Sequence, residues 1–133
     1  MALGRILVTG ANGFIGANIV RHFVRKFSEV HALVRTPENL WRLTGVEGVE
    51  VHAADMVDSA AVRAVVVAAR PTVVMHFASH AALPDERDEA AVFTHTILPL
   101  VHLVAAVRDL PDVRAVINAG SSSEYGSQTV PLR

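Results

Sequence analysis

The sequence predicts an α/β fold, a doubly wound parallel sheet with strand order 3-2-1-4-5, and three observations predict it. Short apolar, β-branched runs recur at residues 6–8, 29–35, 46–52, 72–77 and 113–118. Stretches with helix start and stop signals separate them, the pattern of repeated strand–helix–strand crossovers. The first run enters three glycines spaced three apart, Gly10, Gly13 and Gly16, directly ahead of an amphipathic stretch. In such a sheet ligands bind at the carboxyl ends of the strands, near the reversal between strands one and four.

The elements follow in order. After Ile6-Leu7-Val8, Gly10 supplies a sharp exit from the strand. Gly13 leaves bare backbone for a pyrophosphate, and Gly16 lets the following helix, residues 14–27, sit close to the sheet. Backbone N–H groups and the positive end of the helix dipole then face a phosphate. A glycine-rich strand-to-helix turn can also be only a turn. Its position after the first strand and before a helix is the context a dinucleotide fingerprint requires. Residues 29–35 read as strand two. Thr36 and Pro37 read as the N-cap and first position of a helix. Residues 46–52 form a weaker third strand framed by Gly45 and Gly48. Asp58-Ser59 caps a helix to Ala69 that Arg70-Pro71 ends. Residues 72–77 form strand four, an unbroken apolar run of the kind buried on both faces. A long helical region covers 86–108, kinked or divided by Pro99. Residues 113–118 form strand five and enter a small polar loop.

Bulk properties narrow the function classes. The 133 residues suit one domain, and 51% hydrophobic against 19% charged residues specify a cored globule rather than a disordered chain. A net charge of −1 gives no reason to expect nucleic acid or an anionic membrane as partner. The absence of cysteine rules out disulfides and thiolate metal sites. Residues 6–8 are too short for a signal-peptide core, no apolar run approaches the roughly 20 residues of a membrane span, and the expected location is the cytoplasm.

Four segments then coincide. Thr9-Gly10-Ala11-Asn12-Gly13-Phe14-Ile15-Gly16 resembles a TGxxGFIG fingerprint. Asp55-Met56 resembles an Asp-(Leu/Met) pair after strand three. His76-Phe77-Ala78-Ser79 resembles an HxAA segment ending strand four, and 121–126 resembles an SSxxxYG segment after strand five. Together they resemble the N-terminal, Rossmann-like portion of an extended short-chain dehydrogenase/reductase, the NAD(P)-dependent epimerase/dehydratase family. Most members of that family act on nucleotide sugars. The resemblance spans essentially the whole chain. It implies cofactor contacts from Gly10, Asn12, Gly13, Phe14, Ile15, Gly16, Asp55 and Met56 (the adenine end), and Phe77, Ala78 and Ser79.

Members that use NAD carry an acid at the end of strand two, where this chain has Val34 followed by Arg35. A guanidinium can grip a 2′-phosphate with two charge-assisted hydrogen bonds. Residues 29–35 also look like the same segment in the family's GDP-mannose dehydratase and GDP-deoxymannose reductase members, which use NADP. NADP is therefore expected ahead of NAD, with Arg35 as its reader. The alternative for Arg35 is a solvated charge at a strand end.

The family's strand-five hydroxyl, which hydrogen-bonds the sugar oxygen, falls on Ser121 by counting back from Tyr125, with Ser122 one residue away. The same serine run could be a turn that caps backbone groups. The dehydratases' acid position holds Ser123, with Glu124 one later, which favours reductase or epimerase. The general acid–base pair of the family, Tyr-x-x-x-Lys, has no counterpart: Tyr125 is the only tyrosine, Lys26 the only lysine, and Thr129 follows Tyr125 by four. A lysine there would lower a phenol pKa from about 10 towards working pH. Residues 1–133 are accordingly expected to be the NAD(P)-binding domain of a longer enzyme, lacking the later strands and C-terminal substrate lobe. A stand-alone dinucleotide-binding module is the alternative.

The histidines give no expected metal site. His76 and His80 straddle a strand end and a loop, while His95 and His102 lie two helical turns, about 10 Å, apart. His22 reads as a solvated or partly packed side chain. The acids of 85–89 suit a helix start. Val92, Leu100, Leu103, Val104 and Val107 form an apolar face, either core or, as the resemblance implies, part of a homodimer bundle built from 86–108.

Overall fold

The computed structural model describes residues 3–79 and 88–121. Five parallel strands are ordered β3-β2-β1-β4-β5, as expected: β1 (Arg5–Thr9), β2 (Glu29–Val34), β3 (Val49–Ala53), β4 (Val73–His76) and β5 (Ala115–Asn118). The central position of β1 explains its composition. Ile6, Leu7, Val8 and Thr9 are wholly buried because both faces of the sheet are covered. Alternation sends Ile6 and Val8 into a core shared with Val30, Ala32, Ala17 and Val20. Leu7 points the other way, into a core with Leu33, Val62, Val66, Val74 and Leu103. Each such side chain contributes about 1.5–3 kcal/mol of burial.

Three helices supply those faces. Helix α1 (Phe14–Phe23) covers the first core, and α2 (Ser59–Ala69) the second. The carboxylate of Asp58 caps α2 by accepting from the backbone N–H groups of Ala60 at 2.9 Å and Ala61 at 3.1 Å. Arg70, left-handed at φ 40°, ends the helix, and Pro71 follows. The third helical span opens with α3 (Glu89–Val92), widens into one π-helical stretch (Phe93–Ile97) and continues as α4 (Leu98–Val107).

Sequence and structure part at three points. Helix α1 stops at Phe23 rather than Phe27. There Lys26 and Phe27 N–H groups turn back onto the Phe23 carbonyl, and the Phe23 and Phe27 rings meet edge to face at 5.3 Å. No helix forms at Thr36-Pro37; only a short 3₁₀ turn (Trp41–Leu43) occurs in that connection. Tertiary hydrogen bonds override the local cap signal: Asn12 Nδ2 donates to the Asn39 carbonyl at 3.2 Å, and Arg42 Nη1 donates to the Asn12 carbonyl at 3.2 Å. Pro99 neither breaks nor divides its helix. The π-helical stretch lies immediately before it, so the widened turn absorbs the missing N–H and the clash of the ring with the preceding turn.

Residues 89–107 thus form a 19-residue helical span of mean hydropathy 1.8, long and apolar enough by length and composition to cross a bilayer. Its Leu103, Ala106 and Val107 are buried in the domain core. Phe93, Ile97, Val101 and Val104 on the same span are exposed. Strands β3 and β5 are the sheet edges, and Val116 and Ile117 of β5 are largely exposed.

Candidate functional site

A cleft of about 340 Å³ opens at the carboxyl ends of β1, β2, β3 and β4, the position at which such sheets take ligands. Its first wall is the glycine turn. Gly10 sits at φ 63°, a left-handed backbone that favours glycine, and a Cβ there would lie 2.7 Å from the Ala78 nitrogen. A Cβ on Gly16 would collide with the Gly10 carbonyl oxygen, so the glycine lets α1 begin hard against the strand exit. Gly13 is the extended N-cap of α1, and no side chain caps the helix. The first turn of α1 begins directly after this lining and holds no acidic residue to neutralise the positive end of the dipole.

The opposite wall comes from the connection after β2. Arg35, Thr36 and Asn39 line it, beside Leu33 and Val34. Arg42 stands behind, its guanidinium bonded to Asn12 and 4.2 Å from the Trp41 ring, while Arg21 Nη2 donates to the Arg42 carbonyl. This lattice fixes the spacing between the two walls.

The floor and far end are built from Ala54, Asp55, Met56 and Val57 and from Phe77, Ala78 and Ser79. Asp55 Oδ1 accepts from the Val57 N–H at 3.0 Å, holding the turn after β3. His102 Nδ1 donates to the Met56 carbonyl at 3.0 Å, tying α4 to that turn. His95 and Pro99, around the widened helical turn, complete the lining.

Thr9 and His76 form the buried joint beneath the cleft. The Thr9 hydroxyl oxygen accepts from the N–H groups of Phe77 and Ala78, each at 3.3 Å, and meets His76 Nδ1 at 2.6 Å. With its acceptor capacity taken, the hydroxyl donates to Nδ1, which makes His76 a neutral imidazole protonated at Nε2. Burial also pushes the His76 pKa below its ordinary value, in agreement with the neutral form. The joint aims residues 77–79 along the cleft.

Of the residues singled out in the sequence, Gly10, Asn12, Gly13, Arg35, Asp55, Met56, Phe77, Ala78 and Ser79 come together around this one cleft. Phe14 and Ile15 are exposed on the first turn of α1 and do not line it, and Gly16 acts from behind as a packing residue. Ser121 is exposed beyond β5 and is not part of the lining, whereas Ser122 and Tyr125 lie outside the described residues. The sequence reading missed Thr36, Asn39, Arg42, His95 and Pro99. Asn39 and Arg42 sit in a connection with no periodicity, and His95 reaches the cleft through a helical turn that no composition signal announced.

Residues 6–133 match the sequence model of the NAD dependent epimerase/dehydratase family. Tetraketide alpha-pyrone reductase 1 of Arabidopsis thaliana is 27% identical over 129 residues, covering 92% of this chain and 39% of that protein. The crystal structure of Bordetella bronchiseptica WbmG in complex with NAD and UDP superposes with a TM-score of 0.80 at 23% identity, over 95% of this chain and 40% of WbmG. The UDP-Glc/GlcNAc 4-epimerase of Campylobacter jejuni superposes with a TM-score of 0.85 at 18% identity, over 98% of this chain and 41% of the epimerase. The chain thus spans about two fifths of the length of these proteins.

Proposed function

Because the chain belongs to the NAD dependent epimerase/dehydratase family, we propose that its cleft binds a nicotinamide dinucleotide, NADP ahead of NAD, for hydride transfer at a sugar carbon of a nucleotide sugar. The observation that carries this reading is the pairing of two walls: an uncapped helix N-terminus behind a glycine turn, and a strand-two end that offers Arg35 where an acid would repel a 2′-phosphate. The pyrophosphate lies against Gly13 and the first turn of α1. The 2′-phosphate lies beside Arg35 and Thr36, the adenine beside Asp55, Met56 and Val57, and the nicotinamide end runs towards Phe77, Ala78 and Ser79.

When bound, the nicotinamide supplies or accepts the hydride. The chain's own part is to bind, orient and exclude water, with the Ser121 or Ser122 hydroxyl holding the sugar oxygen. The 133 residues contain no Tyr-x-x-x-Lys pair, so this polypeptide alone binds the dinucleotide without turnover. The exposed apolar side chains Phe93, Ile97, Val101 and Val104 suit a homodimer in the cytoplasmic enzyme. The alternative is a dinucleotide-binding regulatory module. A Tyr-x-x-x-Lys in the reading frame beyond Arg133 decides for the enzyme.

Calorimetric titration with NADPH and NADH tests the cofactor assignment. Native protein is expected to prefer NADPH, and Arg35→Ala to lose about tenfold in NADPH affinity, as for one charge-assisted hydrogen bond, with NADH binding unchanged. Equal losses for both dinucleotides would refute the 2′-phosphate role.

A further inference from the structure

Neither His31 nor His52 belongs to a motif in the sequence, yet the fold brings them together with Glu50 on one face of the sheet, where β2 meets the edge strand β3. The parallel register sets His31 opposite Glu50 and Leu33 opposite His52, and alternation puts residues 50 and 52 on the same side. His31 Nδ1 lies 3.0 Å from His52 Nε2 and 3.5 Å from Glu50 Oε2, and Glu50 Oε1 lies 3.5 Å from His52 Nε2. One donor atom from each residue falls within 4.8 Å of the others. In a tetrahedral site with metal–ligand bonds of about 2.0–2.1 Å, neighbouring donors stand about 3.3–3.4 Å apart. The two 3.5 Å contacts use different oxygens of Glu50, so the three side chains converge on one point, and a small carboxylate rotation completes one face of that tetrahedron.

His31 supplies an independent sign. It is buried, only 3% exposed, and its Nε2 has no hydrogen-bond partner. The Glu29 carboxylate stands 3.6 Å from that nitrogen. A lone pair on Nε2 would face a carboxylate, whereas a proton there faces an acceptor. The proton therefore belongs on Nε2, which leaves the Nδ1 lone pair to accept from the Nε2–H of His52 at 3.0 Å, a proton that a bound ion displaces. That is the tautomer of a ligating imidazole, and Glu29 occupies the place of the carboxylate that commonly backs one.

We propose that His31, Glu50 and His52 form a binding site for a divalent first-row transition ion, with two imidazoles and one carboxylate matched to Zn²⁺ and water in the fourth position. Two nitrogen donors disfavour Mg²⁺ and Ca²⁺, which select oxygen. None of the three residues lines the dinucleotide cleft, so the site stands apart from the proposed function. Its effect is to fasten the edge strand β3 to β2. Glu50, the most exposed of the three, marks the side from which an ion enters.

Co²⁺ titration of the untagged chain tests the site through the visible absorption of the four-coordinate ion. The expected result is saturation at one equivalent, displacement of the colour by Zn²⁺, and a rise in thermal midpoint with Zn²⁺. His52→Ala removes a ligand and is expected to abolish the spectrum. Glu50→Gln, at a largely exposed side chain that the fold tolerates, weakens binding by tenfold or more, and Glu29→Gln by about tenfold through the loss of the backing carboxylate. No saturation at one equivalent, or a Glu50→Gln titration identical to native, would overturn the proposal.

Discussion

The two walls of the cleft are made in opposite ways. The glycine turn after β1 is set by backbone sterics within seven residues, Gly10 to Gly16: one left-handed residue, one extended N-cap and one absent Cβ. The connection after β2 has no regular structure at Arg35, Thr36 or Asn39. Its position comes from side-chain hydrogen bonds between segments far apart in sequence, Asn12 to Asn39 and Arg42 to Asn12. A wall built from backbone exclusion is intolerant of any added atom. A wall hung on exposed or half-buried hydrogen bonds gives way gradually.

Substitution on the first wall is therefore expected to cost most. Gly16→Ala puts a methyl group into the Gly10 carbonyl, and both partners are main chain at a strand–helix junction, so neither yields cheaply. The expected loss is about 3 kcal/mol, the upper range for overpacking, read as a lowered denaturant midpoint together with lost NADPH binding. A stability loss under 1 kcal/mol would mean that the turn is held by something other than backbone contact.

An acid sensitivity of intermediate size distinguishes the joint beneath that wall. Burial holds the folded His76 pKa below the unfolded value of about 6.5. Between those two values the unfolded chain binds more protons, so stability rises with pH. The full contribution of His76 is present above about pH 6.5 and is lost as pH falls towards the folded value. His52, lowered chiefly by desolvation and partly restored by Glu50, acts in the same direction. Unfolding free energy measured from pH 7.5 down to pH 5 should decline, and His76→Gln should flatten the slope. An unchanged slope in that variant would remove His76 from the account.

The smallest effect belongs to the second wall. Arg42→Ala deletes one half-exposed hydrogen bond to Asn12 and the stacking on Trp41, with an expected cost of about 1 kcal/mol or less. Dinucleotide affinity should fall a few fold as the wall loosens. A loss as large as that of Gly16→Ala would erase the contrast between the walls.

The same contrast explains what could be read in the sequence. The strand segments, the glycine turn and the Asp58 cap depend on neighbours in the chain, and each is visible as an apolar run, as spacing or as a cap residue before a helix. The segment 36–39 reads as a helix start because Thr36 and Pro37 carry a local start signal, but the partners that fix this connection, Asn12 and Arg21, lie on the preceding turn and helix. The accommodation of Pro99 by a widened turn, and through it the placement of His95 in the cleft, depends on helix packing. His31, Glu50 and His52 meet only through strand register, across 21 residues of sequence between the two histidines. Periodicity records which face a residue takes. It does not record which residue of another strand stands opposite.

A crystal structure of the chain with NADP⁺ measures the central claim most directly. The account predicts the pyrophosphate against the backbone of Gly13 and the first turn of α1, with the 2′-phosphate in contact with the Arg35 guanidinium. A pyrophosphate bound away from the glycine turn, or a 2′-phosphate turned away from Arg35, would contradict it.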